Sequence, residues 1–168
     1  MTFVRRALAV LALTLGCFAQ TSGGPPTLHA DRILVLKSER RLMLLDHGRL
    51  LKTYKIALGS EPAGSKTRQG DHRTPEGLYV FDRRNPRSQF HRALHISYPN
   101  AQDRARARRL GVNPGGDIFL HGLPNGWGGL GSAQRLYDWT DGCIAVTNEE
   151  IEEIWRAVPD GTPIEIRP

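Results

Sequence analysis

Two short motifs in this chain pair a reactive side chain with a glycine: His121-Gly122 and Gly142-Cys143. A thiol attacks a carbonyl as thiolate, so an imidazole must lie close enough to take or balance its proton. A glycine before the thiol lets backbone approach a substrate closely, and consecutive amides at Gly142 and Cys143 are placed to donate to an oxyanion. Six histidines are available, and His121 is the best placed, because it ends a short apolar run and is followed by glycine. Only two cysteines are present, Cys17 and Cys143. If the first is removed or lipidated, Cys143 has no internal disulfide partner, and an unpaired thiol outside the cytoplasm asks for burial or for reactivity as its reason.

Other residues carry weaker chemical signals. His72 and Arg73 lie in a polar loop that would bind peptide carboxylates if it packs over the site, since arginine holds carboxylates in a bidentate grip. Trp127 and Trp139 flank a glycine-rich segment, where they either wall a groove for a second substrate or simply pack. His91 and His95 are four apart, the spacing of metal ligands on a helix. No His-Glu-x-x-His pattern completes them, so no metal site is expected.

These residues need a scaffold, and the pattern points to a mainly β domain. Residues 32–37, 41–46 and 50–57 read as strands, with His47-Gly48 at a tight hairpin turn, so the domain should open as a three-stranded antiparallel meander. Residues 59–77 form a long loop rich in Gly, Pro, Lys and Arg, of the kind that is more often functional than idle. Strand character returns at 78–82, more weakly at 93–97, and again at 117–121 and 143–146. A short helix is expected over 100–110, ended by Gly111. A second begins at Thr147, where Glu150 completes a capping box, and carries Ile151, Ile154, Trp155 and Val158 on one face. Residues 163–166 form the last strand. The basic run from Asp103 to Arg109 reads as a solvated helix face.

The first residues have a different character. Arg5 and Arg6 precede an apolar stretch over 7–15, and small or polar residues follow, which is the layout of a secretory signal peptide over 1–19. A rival reading makes Cys17 the acylated first residue of a lipoprotein, the one case in which a membrane tether is implied. Residues 20–30 then form a flexible leader, and 31–168 a single domain with its own core. The expected location is the periplasm or cell envelope. Loss of Arg5 and Arg6 with the signal would take the formal net charge from +6 to +4, a mildly basic balance that draws an exported protein toward polyanions but does not argue for nucleic acid.

Taken together, Phe119-Leu120-His121-Gly122, a glycine-rich loop and Trp139-Thr140-Asp141-Gly142-Cys143-Ile144-Ala145-Val146-Thr147-Asn148 resemble the signature of the L,D-transpeptidase catalytic domain, the YkuD-like fold. Gly70 to Tyr79 resembles that family's second signature, and the order of the blocks is similar from about Ile33 to Ile166. The resemblance implies a β-sandwich with one or two short helices. It also implies that Cys143 attacks a peptidoglycan stem peptide, and that the acyl group passes to the amine of a second stem. By the same resemblance His121 is general base and acid, the Gly122 carbonyl holds its tautomer, and the amides of Gly142 and Cys143 form the oxyanion hole. No cofactor is implied, and no protein partner.

Two positions depart from the family pattern. Asp141 stands where many members have a second histidine, and Ala145 where they often have Asn or Arg. A carboxylate beside Cys143 would raise the thiol pKa, or would pair with a charged imidazole; either way it tunes or orients the site and is not the base. Water in place of the amine would make the enzyme a carboxypeptidase or amidase, and a catalytically silent peptidoglycan-binding protein is the third reading.

Overall fold

The computed structural model describes residues 28–168. The expected signal segment, Cys17 and most of the expected leader lie outside them. Eight strands form one sheet in the order β3-β2-β1-β8-β4-β5-β6-β7. Strands β1 (Arg32–Leu36), β2 (Arg41–Asp46) and β3 (Arg49–Lys55) make the expected antiparallel meander. Alternation is clear in β1 and β2, where Ile33, Val35, Leu42 and Leu44 point into the core. The last strand, β8 (Pro163–Arg167), pairs in parallel with β1 and sends Ile164 and Ile166 into the same core.

The middle of the sheet differs from the expectation. Strand β4 (Gly77–Ser88) runs well beyond Asp82, and β5 begins at His91 and ends at Ile96. The extension is polar (Arg83, Arg84, Asn85, Pro86, Arg87) and mostly exposed, so apolar alternation could not reveal it. Register shifts after Phe81 and after Asn85 bend β4, so that Gly77 to Val80 pair with β8 while Phe81 to Ser88 pair with β5. One strand thus serves two halves of the sheet, which curls into a sandwich. Beyond β3, Ala57 exchanges both backbone hydrogen bonds with Ala145 at 2.9 Å, joining the two edges of the curl.

Strands β6 (Phe119–His121) and β7 (Ile144–Ala145) are short and parallel, with His121 opposite Ala145. Helix α1 (Ala101–Leu110) starts at the Asn100–Asp103 capping box and ends on Gly111 in the left-handed region. Its basic run is not wholly solvated: Arg106 turns inward to Asp103 Oδ1 and to the Lys66 carbonyl. Helix α2 (Asn148–Ala157) has the predicted Thr147–Glu150 box, and buries Ile151, Ile154 and Ala157 against the sheet. A third helical piece, the 3-10 segment Gly128–Leu136 broken at Gly131, lies in the stretch the pattern left irregular. Four glycines in that region hide any period. No helix among the described residues is long and apolar enough to cross a membrane.

Candidate active site

His121 closes β6, and its ring is pinned from every side. Nδ1 donates to the Gly122 carbonyl at 2.7 Å; because a carbonyl can only accept, this bond fixes the tautomer and leaves Nε2 with its lone pair. The ring is 3% exposed and packs in a cluster with Phe90 and Trp139, at centroid distances of 4.4 and 5.9 Å. Burial drives its pKa down to about 4, outweighing the bond to Gly122, so the imidazole is neutral at pH 7. Asn148, at the start of α2, holds the following residues by accepting from the Leu123 amide at 2.9 Å. A side chain at Gly122 would stand 2.7 Å from Asn148 Oδ1 and 3.1 Å from Ile151, so only glycine lets α2 come this close.

Cys143 sits one residue before β7 and is half-buried. Its sulfur accepts from the Phe119 amide at 3.4 Å and donates to the Asp117 carbonyl at 3.7 Å. Burial pushes the thiol up to about 11; the Phe119 N–H and Lys66 work against this, and the Asp141 and Asp117 carboxylates add to it. Thiol and imidazole are therefore both neutral at rest. Gly142 is required at its position, with φ of +125° and an added Cβ 2.6 Å from the Arg73 carbonyl.

The expected pair of oxyanion donors is only half available. The Gly142 amide donates to Thr140 Oγ1 at 3.1 Å, and the same hydroxyl donates to the Cys143 carbonyl at 2.7 Å. This small turn holds the thiol segment in place and engages the Gly142 N–H, so of the expected pair the Cys143 amide is the one not drawn into it. Thr140 had drawn no notice in the sequence, because a lone threonine carries no spacing signal.

Cys143 and His121 line one cavity of about 410 Å³. Its far wall is the polar extension of β4 and the turn into β5, contributing Asn85, Arg87, Gln89 and Phe90. None of these was a candidate, because the strand was expected to stop before them.

The 59–77 loop packs against the thiol segment, with the Arg73 carbonyl against Gly142. His72 Nδ1 lies 2.8 Å from Asp141 Oδ1, so the imidazole that meets Asp141 is His72 and not His121. Arg73 approaches the site through its backbone, whereas its guanidinium lies beside Gly64 and is not part of the cavity wall. Two buried lysines anchor the loop. Lys37 Nζ donates to Glu76 and to the carbonyls of Gly64 and Thr74, and Lys66 Nζ meets Asp71 at 2.7 Å. Burial pushes the Asp71 carboxyl up, but hydrogen bonds from Lys66 and from the Arg68, Thr67 and Arg73 amides overcome this and hold it well below the usual carboxylate range.

Of the two tryptophans, Trp139 packs on His121, while Trp127 lies outside the Cys143 cavity and is 60% exposed. His91 and His95 stand on a strand, not a helix. Each faces a separate carboxylate, Glu152 at 2.9 Å and Asp82 at 2.5 Å. Among the described residues, the cluster that does bring metal-ligand atoms within 4.8 Å of one another is Asp31, just before β1, with Asp46 and His47 at the β2–β3 turn, and it is not among the cavity residues.

Residues 30–166 match the family model of the L,D-transpeptidase catalytic domain. Over 133 residues the chain is 35% identical to the Escherichia coli (strain K12) protein named "Putative L,D-transpeptidase YafK", which covers 75% of this chain and 46% of YafK. The chain thus spans about half the length of the curated relatives it matches. Among solved structures, the helical cell shape determining protein Pgp2 of Campylobacter jejuni superposes with a TM-score of 0.61 and 28% identity, over 80% of this chain and 46% of Pgp2. An L,D-transpeptidase from Xylanimonas cellulosilytica shares the fold, at a TM-score of 0.54 and 15% identity over 85% of this chain and 63% of that one.

Proposed function

The chain belongs to the L,D-transpeptidase catalytic-domain family, and from that premise we propose that it is a cysteine acyltransferase acting on peptidoglycan stem peptides in the cell envelope. The observation that carries this reading is the pairing, in one cavity, of the Cys143 thiol with an imidazole whose Nδ1–H is committed to a carbonyl. The free Nε2 is the base. As Sγ attacks the peptide carbonyl, the thiol proton passes to Nε2, the S–C bond forms and the carbonyl oxygen takes the negative charge. The Cys143 amide stabilises that oxyanion. Collapse breaks the C–N bond, and the departing amine takes the proton from Nε2. The amine of a second stem then attacks the thioester, gives its proton to Nε2, and the sulfur leaves as thiol.

Export through a signal peptide at residues 1–19 belongs to the same reading, and the kinship with Pgp2 extends it to a part in cell shape. Incubation of the wild type with purified muropeptides, followed by mass spectrometry, tests it. Cross-linked dimers that vanish with Cys143→Ala are expected. Shortened monomers without dimers would make the protein a hydrolase with the same thiol, and no Cys143-dependent product would leave a peptidoglycan-binding protein.

A further inference from the structure

Gln134 is a buried amide with only one end accounted for. It is 4% exposed, and its Oε1 accepts from the Trp139 indole N–H at 3.0 Å. An indole can only donate, so the atom facing Trp139 is the oxygen and the orientation of the amide follows. Its Nε2 has no hydrogen-bond partner among the described residues. A buried donor left unpaired is costly, and each such group asks for an explanation.

The surroundings supply one. Gln134 lines a second cleft, of about 110 Å³, together with Trp127, Leu130, Tyr137 and Trp139 among others, and no lining residue carries a charge. Trp127 and Tyr137 are 60% and 66% exposed, a large apolar surface to leave facing water. Trp139 belongs to both places: it lines this cleft, and its ring packs on His121. The cleft therefore adjoins the cavity that holds the thiol.

We infer that this cleft receives the acetamido group of an N-acetylated sugar, so that the protein reads the glycan strand as well as the stem peptide. The inference rests on the proposed action on peptidoglycan. An acetamido carbonyl offers the acceptor that Gln134 Nε2 lacks once the amide, closed to solvent as it stands, turns toward the cleft, and its methyl suits the apolar wall. The C–H face of the sugar ring stacks on the exposed aromatic surface of Trp127 or Tyr137. A stem peptide fits less well, because its carboxylates would lose hydration in a cleft with no cation to meet them.

The test uses the full chain carrying Cys143→Ala, with tri-N-acetylchitotriose as probe. Binding followed by ligand-observed NMR should show the strongest saturation transfer at the acetamido methyls. The de-N-acetylated trimer should bind at least about tenfold more weakly, the worth of one lost hydrogen bond to a buried donor. Gln134→Glu keeps an oxygen for Trp139 but removes the donor, and should weaken the N-acetylated trimer by a similar factor. Trp127→Ala, at an exposed position, should weaken it without changing the thermal melt. Equal binding of the two trimers, no binding of either, or displacement by a sugar-free stem peptide would overturn the inference. Mass-spectrometric acylation of the wild type by that sugar-free peptide reports on the proposed function separately. Acylation without sugar binding sinks only this inference, and sugar binding without acylation sinks only the acyl-transfer chemistry.

Discussion

His72 Nδ1 and Asp141 Oδ1 meet at 2.8 Å across the gap between the 59–77 loop and the thiol segment. The carboxylate two residues before Cys143 is thus held by a ring from a different part of the chain. Both partners face solvent, at 49% and 92% side-chain exposure, which keeps their coupling weak.

Removing that carboxylate should change the thiol more than the chemistry. Burial dominates the raised pKa of Cys143, and Asp141 adds to it, so Asp141→Ala should lower the pKa and speed alkylation at a fixed pH. Acylation by stem peptide should fall by less than about tenfold, against complete loss for Cys143→Ala. A double-mutant cycle with His72→Ala should give a coupling of about 1 kcal/mol or less. Equal losses in Asp141→Ala and Cys143→Ala would make Asp141 part of the proton-transfer machinery instead.

Neutral partners at rest have a kinetic signature. With the thiol near 11 and the imidazole near 4, thiolate is scarce across the whole neutral range. The rate of Cys143 alkylation by iodoacetamide should climb about tenfold per pH unit from pH 6 to 9, following thiolate fraction. A plateau below pH 8 would show a preformed thiolate–imidazolium pair.

Stability should carry the mark of His121. Its folded pKa of about 4 lies below the ordinary 6.5, so between those values the unfolded chain binds the proton that the folded one refuses. The contribution is complete above pH 6.5 and is lost as the pH falls toward 4, amounting to about 3 kcal/mol at most. Thermal melts should drop over that window in the wild type. They should drop less in His121→Asn, whose amide keeps a donor for the Gly122 carbonyl.

The loop anchor should be brittle when halved. Lys66 and Asp71 are 4% and 7% exposed, so Asp71→Ala strands a buried ammonium and should cost about 3 kcal/mol or more in a urea denaturation curve. Replacing both, as Lys66→Met with Asp71→Leu, should cost less than the single change. Because the Arg73 amide also rests on Asp71, the single variant should lose acylation rate along with stability.

Much of this was legible in the chain wherever burial wrote a period. The meander β1–β3, the stripe on α2 and its Thr147–Glu150 box stand as read, because Ile33, Val35, Leu42, Leu44, Ile151 and Ile154 each had to face a core. Cys143 and His121 could be singled out because glycines beside them signal close backbone approach, and they do share a cavity. What escaped notice has no periodic cause. The outer half of β4 is held by pairing to β5, not by burial, so Arg87 and Gln89 came to the cavity unannounced. Thr140 and Gln134 act through hydrogen bonds to near neighbours in a stretch without periodicity, and Asn148 through one to Leu123, which only the folded chain brings near. The reading of Arg73 as a carboxylate ligand turned on its guanidinium, and what reaches Gly142 is its carbonyl, a backbone contact that no side-chain pattern announces.

The parallel pairing of β1 with β8 makes the first and last strands of the described residues direct neighbours, Ile33 beside Ile164. A polypeptide made from its N-terminus onward cannot complete such a sheet until β8 emerges. Until then β1 presents an open edge, and the core residues of the meander stay reachable by proteases and chaperones. Ala145, two residues after Cys143, pairs with Ala57 across the curl, so the segment that carries the thiol takes its final place as the curl closes. That ordering ties the compact state to the arrival of β8, the strand made last among those described.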